Sequence, residues 1–401
     1  MSLLSLEFFA LALAAILWVR LTRGPFRGLG FAILSLTYIE SYVGITGLLV
    51  VAGFSLGGYA AALALRRSRV AGSIAIVLLT VAFIHVQTYS FLGMVLPSGW
   101  IVPALHTVGL SFLFFKVIHV AIDYGGGTIE ALPLGEYLVY CFNFTAYLAG
   151  PIQRFQEFDE QWRGTREPLA AEFEPHLDAT LRILRGLAKK YVLATYLAPW
   201  ALLPGATVGT ASIPHIVAGV YLFYVYLYLD FSGYCDVVIG TGALLGVRPP
   251  ENFDFPFLAP NVAQFWLRVH RTLTTWLTDY VFNPVLAGLL RAQTRGRSTL
   301  LAVSIAMMTT MLVSGLWHGT TANFVLFGLA HGVLLTCFRI YEHAMKARLG
   351  RKRFAALRRN PFYRAGATAL TFATTGFAYV FFVFDLTQLE ILWSRVTGMG
   401  A

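Results

Sequence analysis

Three short stretches place proton-moving or charged groups inside otherwise apolar sequence. Ser314-Gly-Leu-Trp-His-Gly319 ends a long apolar run on a histidine. An imidazole exchanges a proton near neutral pH, so His318 could take one from an attacking hydroxyl. Gly315 and Gly319 leave room for a backbone or a substrate beside it, and Trp317 offers an aromatic wall. The bland reading of the same histidine is a satisfied polar residue at a helix end. Asp230-Phe-Ser-Gly-Tyr-Cys-Asp236 sets two carboxylates around Ser232 and Gly233. That pattern reads either as a broken helix lining a cavity or as carboxylates that cap helices and hold a polar network. In Pro249-Pro-Glu-Asn-Phe-Asp-Phe-Pro256, paired prolines stop a helix and free backbone groups. Glu251, Asn252 and Asp254 could pair those groups or orient His270, which follows. His331 lies inside a later apolar run. His85, His106, His119, His176, His215 and His343 show no supporting pattern. Cys141, Cys235 and Cys337 stand apart in apolar sequence and read as small buried hydrophobes, so no metal site is expected.

The elements that position these groups follow from composition. The chain has 401 residues, 57% hydrophobic and 12% charged, with mean hydropathy +0.67. Soluble domains are about a quarter charged, so this is an all-α, polytopic membrane protein with about nine to eleven embedded helices. Candidate spans run over Leu3–Val19, Val43–Leu65, Val70–Leu92, Val102–Ile122, Tyr137–Leu148, Ile213–Leu229, Thr299–Trp317, Asn323–Phe338 and Ala365–Phe384. Phe31–Tyr38 is too short to span alone. The N-terminus reads as a retained first helix. Leu177–Ala201 suits a helix with its cations at the headgroups, and Asn261–Phe282 reads as one amphipathic helix with His270 on its apolar side. With no long linker and no repeat, residues 1–401 read as one domain.

The excess of 30 basic over 20 acidic residues reads as topology rather than nucleic-acid binding. Basic clusters at Arg20, Arg23 and Arg27, at Arg66–Arg69, at Arg291, Arg295 and Arg297, and at Lys346–Arg364 are expected in the cytosol. The run from Thr299 then rises about 28 Å, one bilayer core, to put Trp317 and His318 toward the outer face.

Taken together, the motifs resemble the membrane-bound O-acyltransferase family, and within it the bacterial alginate O-acetylation and teichoic acid D-alanylation branch. The likeness rests, in order, on Leu110-Ser-Phe-Leu-Phe-Phe-Lys116, Tyr147-Leu-Ala-Gly-Pro-Ile-Gln-Arg-Phe155, Gly186-Leu-Ala-Lys-Lys190 and Tyr228-Leu-Asp-Phe-Ser-Gly-Tyr-Cys-Asp236. It continues through Pro250-Glu-Asn-Phe253, Phe265-Trp-Leu-Arg-Val-His270, Trp276-Leu-Thr-Asp-Tyr280, Ser314-Gly-Leu-Trp-His-Gly319 and Gly328-Leu-Ala-His-Gly332. The resemblance implies a helical bundle with a central tunnel, where acyl donor and acceptor meet from opposite faces. It implies that His318 is the essential histidine and His270 the second catalytic position. Asp230, Ser232, Asp236, Asn252, Trp317 and His331 are the candidates for lining the tunnel. The branch usually has Arg-Trp-His where this chain has Arg268-Val-His270, and Ile-Pro-Leu-Gly-Gly where it has Phe282-Asn-Pro-Val-Leu-Ala-Gly-Leu289.

The expected reaction moves an acyl group, acetyl first among the candidates, from a cytosolic thioester to hydroxyls of a cell-surface or exported polysaccharide. The donor is an acyl-CoA or an acyl carrier protein, and no tightly bound cofactor is expected. Partners are the bilayer, the donor, and the polysaccharide or a periplasmic or extracellular acyltransferase, without nucleic acid. The site is the cell (inner) membrane. The alternatives are D-alanyl transfer to a teichoic acid-type polymer and a transporter or acyl relay feeding a separate transferase, since intramembrane Asp230, Asp236 and His318 would also suit ion coupling. In a background without native cysteines, His318→Cys is expected to react with an impermeant thiol reagent from the outer side. Labelling from the cytosol alone would overturn this topology.

Overall fold

A computed structural model describes residues 4–89, 109–164, 173–203, 205, 207–292 and 299–398. His106, Arg295, Arg297 and the start of the expected span Val102–Ile122 lie outside the described residues. The described chain is helical, with no strand among these residues. Six helical stretches are long and apolar enough to cross a membrane: Pro25–Arg67, Arg69–Val86, Ile213–Leu245, Thr299–His318, Ala322–Arg359 and Pro361–Val383. The expected first span forms a shorter helix. Chain contacts divide the protein into two compact units, Met1–Lys190 with Phe231–Glu251, and Tyr191–Asp230 with Asn252–Ala401.

The first unit contains α1 (Leu6–Leu21), α2 (Pro25–Arg67), α3 (Arg69–Val86), α4 (Leu110–Gly126), α5 (Leu134–Phe142), α6 (Phe155–Gly164) and α7 (Phe173–Leu187). Helix α2 is its axis and packs on α1, α3, α4 and α5. Gly44, at φ +67°, divides α2 into two arms. Phe31–Tyr38 is therefore part of a longer helical arm rather than an isolated fragment. On α3, Val70, Ile74, Val77, Leu78 and Val81 share one exposed apolar face, as expected of a helix whose solvent is lipid.

Two sequence expectations are corrected first. Asp230–Asp236 does not break a helix: α8 (Thr195–Ala201) is followed by α9 (Ile213–Leu245), which is unbroken throughout. Gly233 is there for close packing, since a Cβ on it would lie 2.7 Å from the Gly186 carbonyl oxygen of α7. Small residues let membrane helices bring their backbones together, and this one needs no bend to do it. Cys141 and Cys235 are buried, but Cys337 is exposed. His119 is fully buried, with Nε2 2.9 Å from the Tyr140 hydroxyl and Nδ1 3.4 Å from Asp123. The Tyr140 hydroxyl donates to the Gln153 carbonyl at 2.7 Å. Beside them the buried Lys116 donates to the Tyr140 carbonyl at 3.1 Å. This polar cluster ties α4 and α5 to the Tyr147–Phe155 segment.

The second unit contains α10 (Val262–Trp266), α11 (Arg271–Leu277), α12 (Asn283–Ala292), α13 (Thr299–His318), α14 (Ala322–Arg359), α15 (Pro361–Ala378) and α16 (Leu386–Thr397). The expected single helix Asn261–Phe282 is instead two short helices and a π-helical turn, with the break at His270. Helices α13 and α14 cross at backbone distance. A Cβ on Gly328 would lie 2.4 Å from the Met311 carbonyl oxygen, and one on Gly315 would lie 2.3 Å from that of Phe324. Gly366, on α15, has open space around it. Gly328→Val is therefore expected to destabilise the protein by about 1–3 kcal/mol through overpacking. Gly366→Ala should be neutral or stabilising by up to about 1 kcal/mol. Thermal unfolding in detergent distinguishes the two.

Candidate active site

The α13–α14 crossing fixes where two histidines sit. His318 is the last residue of α13 and His331 lies within α14. Both meet Phe327, whose ring centroid is 5.4 Å from that of His318 and 4.7 Å from that of His331. Phe382 packs on His318 at 5.5 Å, and Tyr379 reaches His331 at 6.5 Å. Trp266 meets His331 edge-on at 5.0 Å, while Phe265 lies parallel to it at 6.4 Å. His318 keeps partial exposure, whereas His331 is 0% exposed.

His270 reaches the same enclosure from a different element. Its ring stands perpendicular to Trp317 at 5.3 Å, and Trp317 is 4.6 Å from His318. One indole thus contacts two imidazoles edge-on. His270 is buried and sits at φ +45°, ψ +46°. An L-residue with a Cβ rarely occupies this left-handed region, and one that does is held there by its surroundings.

Asn252 does the holding. Its carbonyl accepts from the Arg271 N–H at 2.9 Å, and its Oδ1 accepts from the Thr272 N–H at 3.2 Å and the Thr272 hydroxyl at 2.8 Å. The Asp254 N–H donates to the Arg268 carbonyl at 2.9 Å. The proline-bounded segment therefore braces the corner that presents His270, and Asn252 replaces the side-chain cap that His270 does not give α11.

The enclosure is apolar in bulk but carries polar atoms. The Ser314 hydroxyl, the Trp266 indole N–H and both ring nitrogens of His331 are buried without a hydrogen-bond partner among the described residues. Ser314 lies one turn before His318 on α13. Burying such groups unpaired is costly, so each of them is open to a polar ligand.

The remaining candidates fall elsewhere. Asp230 is half-buried on α9, one turn from Tyr226. Ser232 and Asp236 belong to the first unit. There Asp236 accepts from Arg182 Nε at 3.1 Å and from Lys189 Nζ at 2.6 Å. Arg182 also forks onto Glu251, with both contacts at 2.5 Å, and holds that carboxyl below its ordinary range. The polar-network reading describes Asp236, while Glu251, expected to pair freed backbone groups or orient His270, is held by Arg182 and Arg248. Sequence reasoning missed Phe327, and also Tyr379 and Phe382, whose only local signal is the aromatic density of 377–384. It also missed Asn323, which opens an apolar run and donates to the Phe381 carbonyl at 3.0 Å.

The model of the membrane-bound O-acyltransferase (MBOAT) family matches residues 125–371. The chain is 28% identical over 238 residues to a teichoic acid D-alanyltransferase of Bacillus subtilis (strain 168), covering 59% of each chain. It is 33% identical over 237 residues to a probable alginate O-acetylase of Azotobacter vinelandii, covering 58% of this chain and 44% of the relative. It is 31% identical over 211 residues to a peptidoglycan O-acetyltransferase of Helicobacter pylori (strain ATCC 700392 / 26695), covering 53% and 38%. The chain thus spans less than two thirds of the length of each of these three relatives.

Asn252→Ala is expected to raise amide hydrogen exchange at Arg271 and Thr272 and to cost about 1–2 kcal/mol of stability, as cap removal does. Asn252→Asp, which keeps an acceptor at Oδ1, should retain most of the protection. Mass-spectrometric exchange over 268–274 reads both.

Proposed function

The chain belongs to the membrane-bound O-acyltransferase family, and on that premise we propose that it transfers an acyl group, acetyl first among the candidates, from a cytosolic thioester to hydroxyls of a cell-surface or exported polysaccharide. The observation that carries this reading is the gathering of His318, His270 and His331 in one aromatic enclosure of the second unit. His318 is the general base. A hydroxyl is a weak nucleophile until a base within about 2.6–3.2 Å takes its proton. As the acceptor oxygen bonds to the thioester carbonyl carbon, His318 removes the hydroxyl proton. The carbon–sulfur bond then breaks, and the proton passes to the departing thiolate.

The carbonyl oxygen gains negative charge on the way and needs a donor held ready for it. His270 suits that role because its backbone is fixed at a braced corner and its ring shares Trp317 with His318. The aromatic walls disfavour water, which would otherwise compete with the polysaccharide hydroxyl for the thioester. The donor is an acyl-CoA or an acyl carrier protein, both anionic, and the basic clusters expected at the cytosolic loops suit either. The protein is then a multi-pass protein of the cell (inner) membrane. D-alanyl transfer to a teichoic acid-type polymer is the second reading, favoured by the Bacillus subtilis relative.

Purified protein in liposomes, given labelled acyl donor and polysaccharide, tests the proposal. His318→Ala is expected to lower transfer by about 10²–10⁴-fold, the usual contribution of a general base, with an unchanged unfolding midpoint. A relay would instead deliver label to the far side and onto polymer only after a separate transferase is added. Solute flux that survives His318→Ala, with no acyl transfer by the native protein, would identify a transporter.

A further inference from the structure

We propose that a cavity in the first unit binds an anionic phospholipid, its phosphate among arginines and one acyl chain laid along α2. The cavity measures about 1100 Å³ and is formed by the end of α1, the start of α2, α5 and α6. Its two ends differ in chemistry. Arg20, Arg23, Arg27 and Arg163 line one end, with Glu136 the one acidic residue among the described lining. Arg163 is paired to Asp159 at 2.8 Å. Arg20 is held by the Leu244 carbonyl at 2.9 Å, and Arg27 is buried with its guanidinium over Trp162 at 4.1 Å. Arg23 is exposed and makes no ion pair among the described residues. The three arginines of the α1–α2 corner therefore outweigh the local acidic charge.

The other end is an apolar slot. Pro25, Leu29, Ala32 and Leu36 line it at spacings of four, three and four, which is one face of α2. From Pro25 to Leu36 the helix rises about 16 Å. That is close to half of a hydrocarbon core of about 30 Å, the depth of a single leaflet. Leu138 and Phe142 of α5 form the facing wall. The arginines lie where α1 ends and α2 begins, the place where the basic pattern predicts headgroups, and from there the slot follows α2 along its apolar length. A phosphate with an attached acyl chain matches both the charge and the length. Helix α2 adds its own N-terminal dipole at the charged end, where Gly24 supplies no side-chain cap. The described lining contains none of the histidines, so this site is independent of acyl transfer.

The test titrates the full-length protein in detergent with phosphatidylglycerol or phosphatidylcholine and counts bound lipid by native mass spectrometry. Phosphatidylglycerol is expected to bind more tightly. Arg23→Gln should weaken it about fivefold, the value of roughly 1 kcal/mol per basic residue near anionic lipid, while leaving phosphatidylcholine unchanged. Ala32→Phe, which fills the slot, should weaken both, with the lipid-free unfolding midpoint checked for each variant. Equal binding of the two lipids, or a phosphatidylglycerol preference that survives both substitutions in folded protein, overturns the proposal. Displacement of phosphatidylglycerol by free coenzyme A would also overturn it, by assigning the arginines to a soluble phosphate ligand.

Discussion

The candidate site depends on one close approach, that of α13 to α14. Gly315 and Gly328 remove the side chains that would hold the two helices apart, so each backbone meets the other's carbonyl oxygens. Lipid gives apolar helices little reason to associate, and association then rests on intimate van der Waals contact. That contact also fixes the candidate site. His318 ends one helix and His331 sits within the other, and only a near-touching crossing lets one phenylalanine, Phe327, pack on both imidazoles. A wider crossing would separate the rings and admit water between them.

The third histidine arrives by a different physical route. His270 is delivered by a corner in the backbone, and the corner is held by hydrogen bonds from Asn252 rather than by helix packing. Packing sets two of the imidazoles and main-chain pairing sets the third. Trp317 joins the two arrangements, because its indole is in contact with both His270 and His318. The first unit uses another device, with Arg182 and Lys189 neutralising the buried carboxylate of Asp236 and Arg182 also holding Glu251.

Much of this was legible in the sequence, because membrane solvation and proton chemistry both leave compositional marks. Low charge and long apolar runs identified an all-helical membrane protein, and a histidine between two glycines is conspicuous at the end of such a run. What could not be read was pairwise. Gly233 looked like a helix breaker because its partner, Gly186, is remote in the chain. Hydrophobic periodicity carries through Asn261–Phe282 without a fault, so the left-handed turn at His270 left no trace in it. His119 offered only Asp123, one turn along α4, as a local signal, since its other partners Tyr140 and Phe155 come from other segments. Cys337 was read as buried because its neighbours are apolar, yet in a lipid-facing helix apolar neighbours do not imply burial.

The backbone at His270 has a consequence for how this position can vary over evolutionary time. At φ +45° a β-branched residue is excluded by its own shape, and glycine or asparagine is the easiest replacement. Neither carries an imidazole. Drift at position 270 is thus filtered twice, once by conformation and once by chemistry, and asparagine passes the first filter with an amide donor but no ring to pack on Trp317. A lineage that lost this histidine could keep the fold intact, but Trp317 would then face one imidazole instead of two.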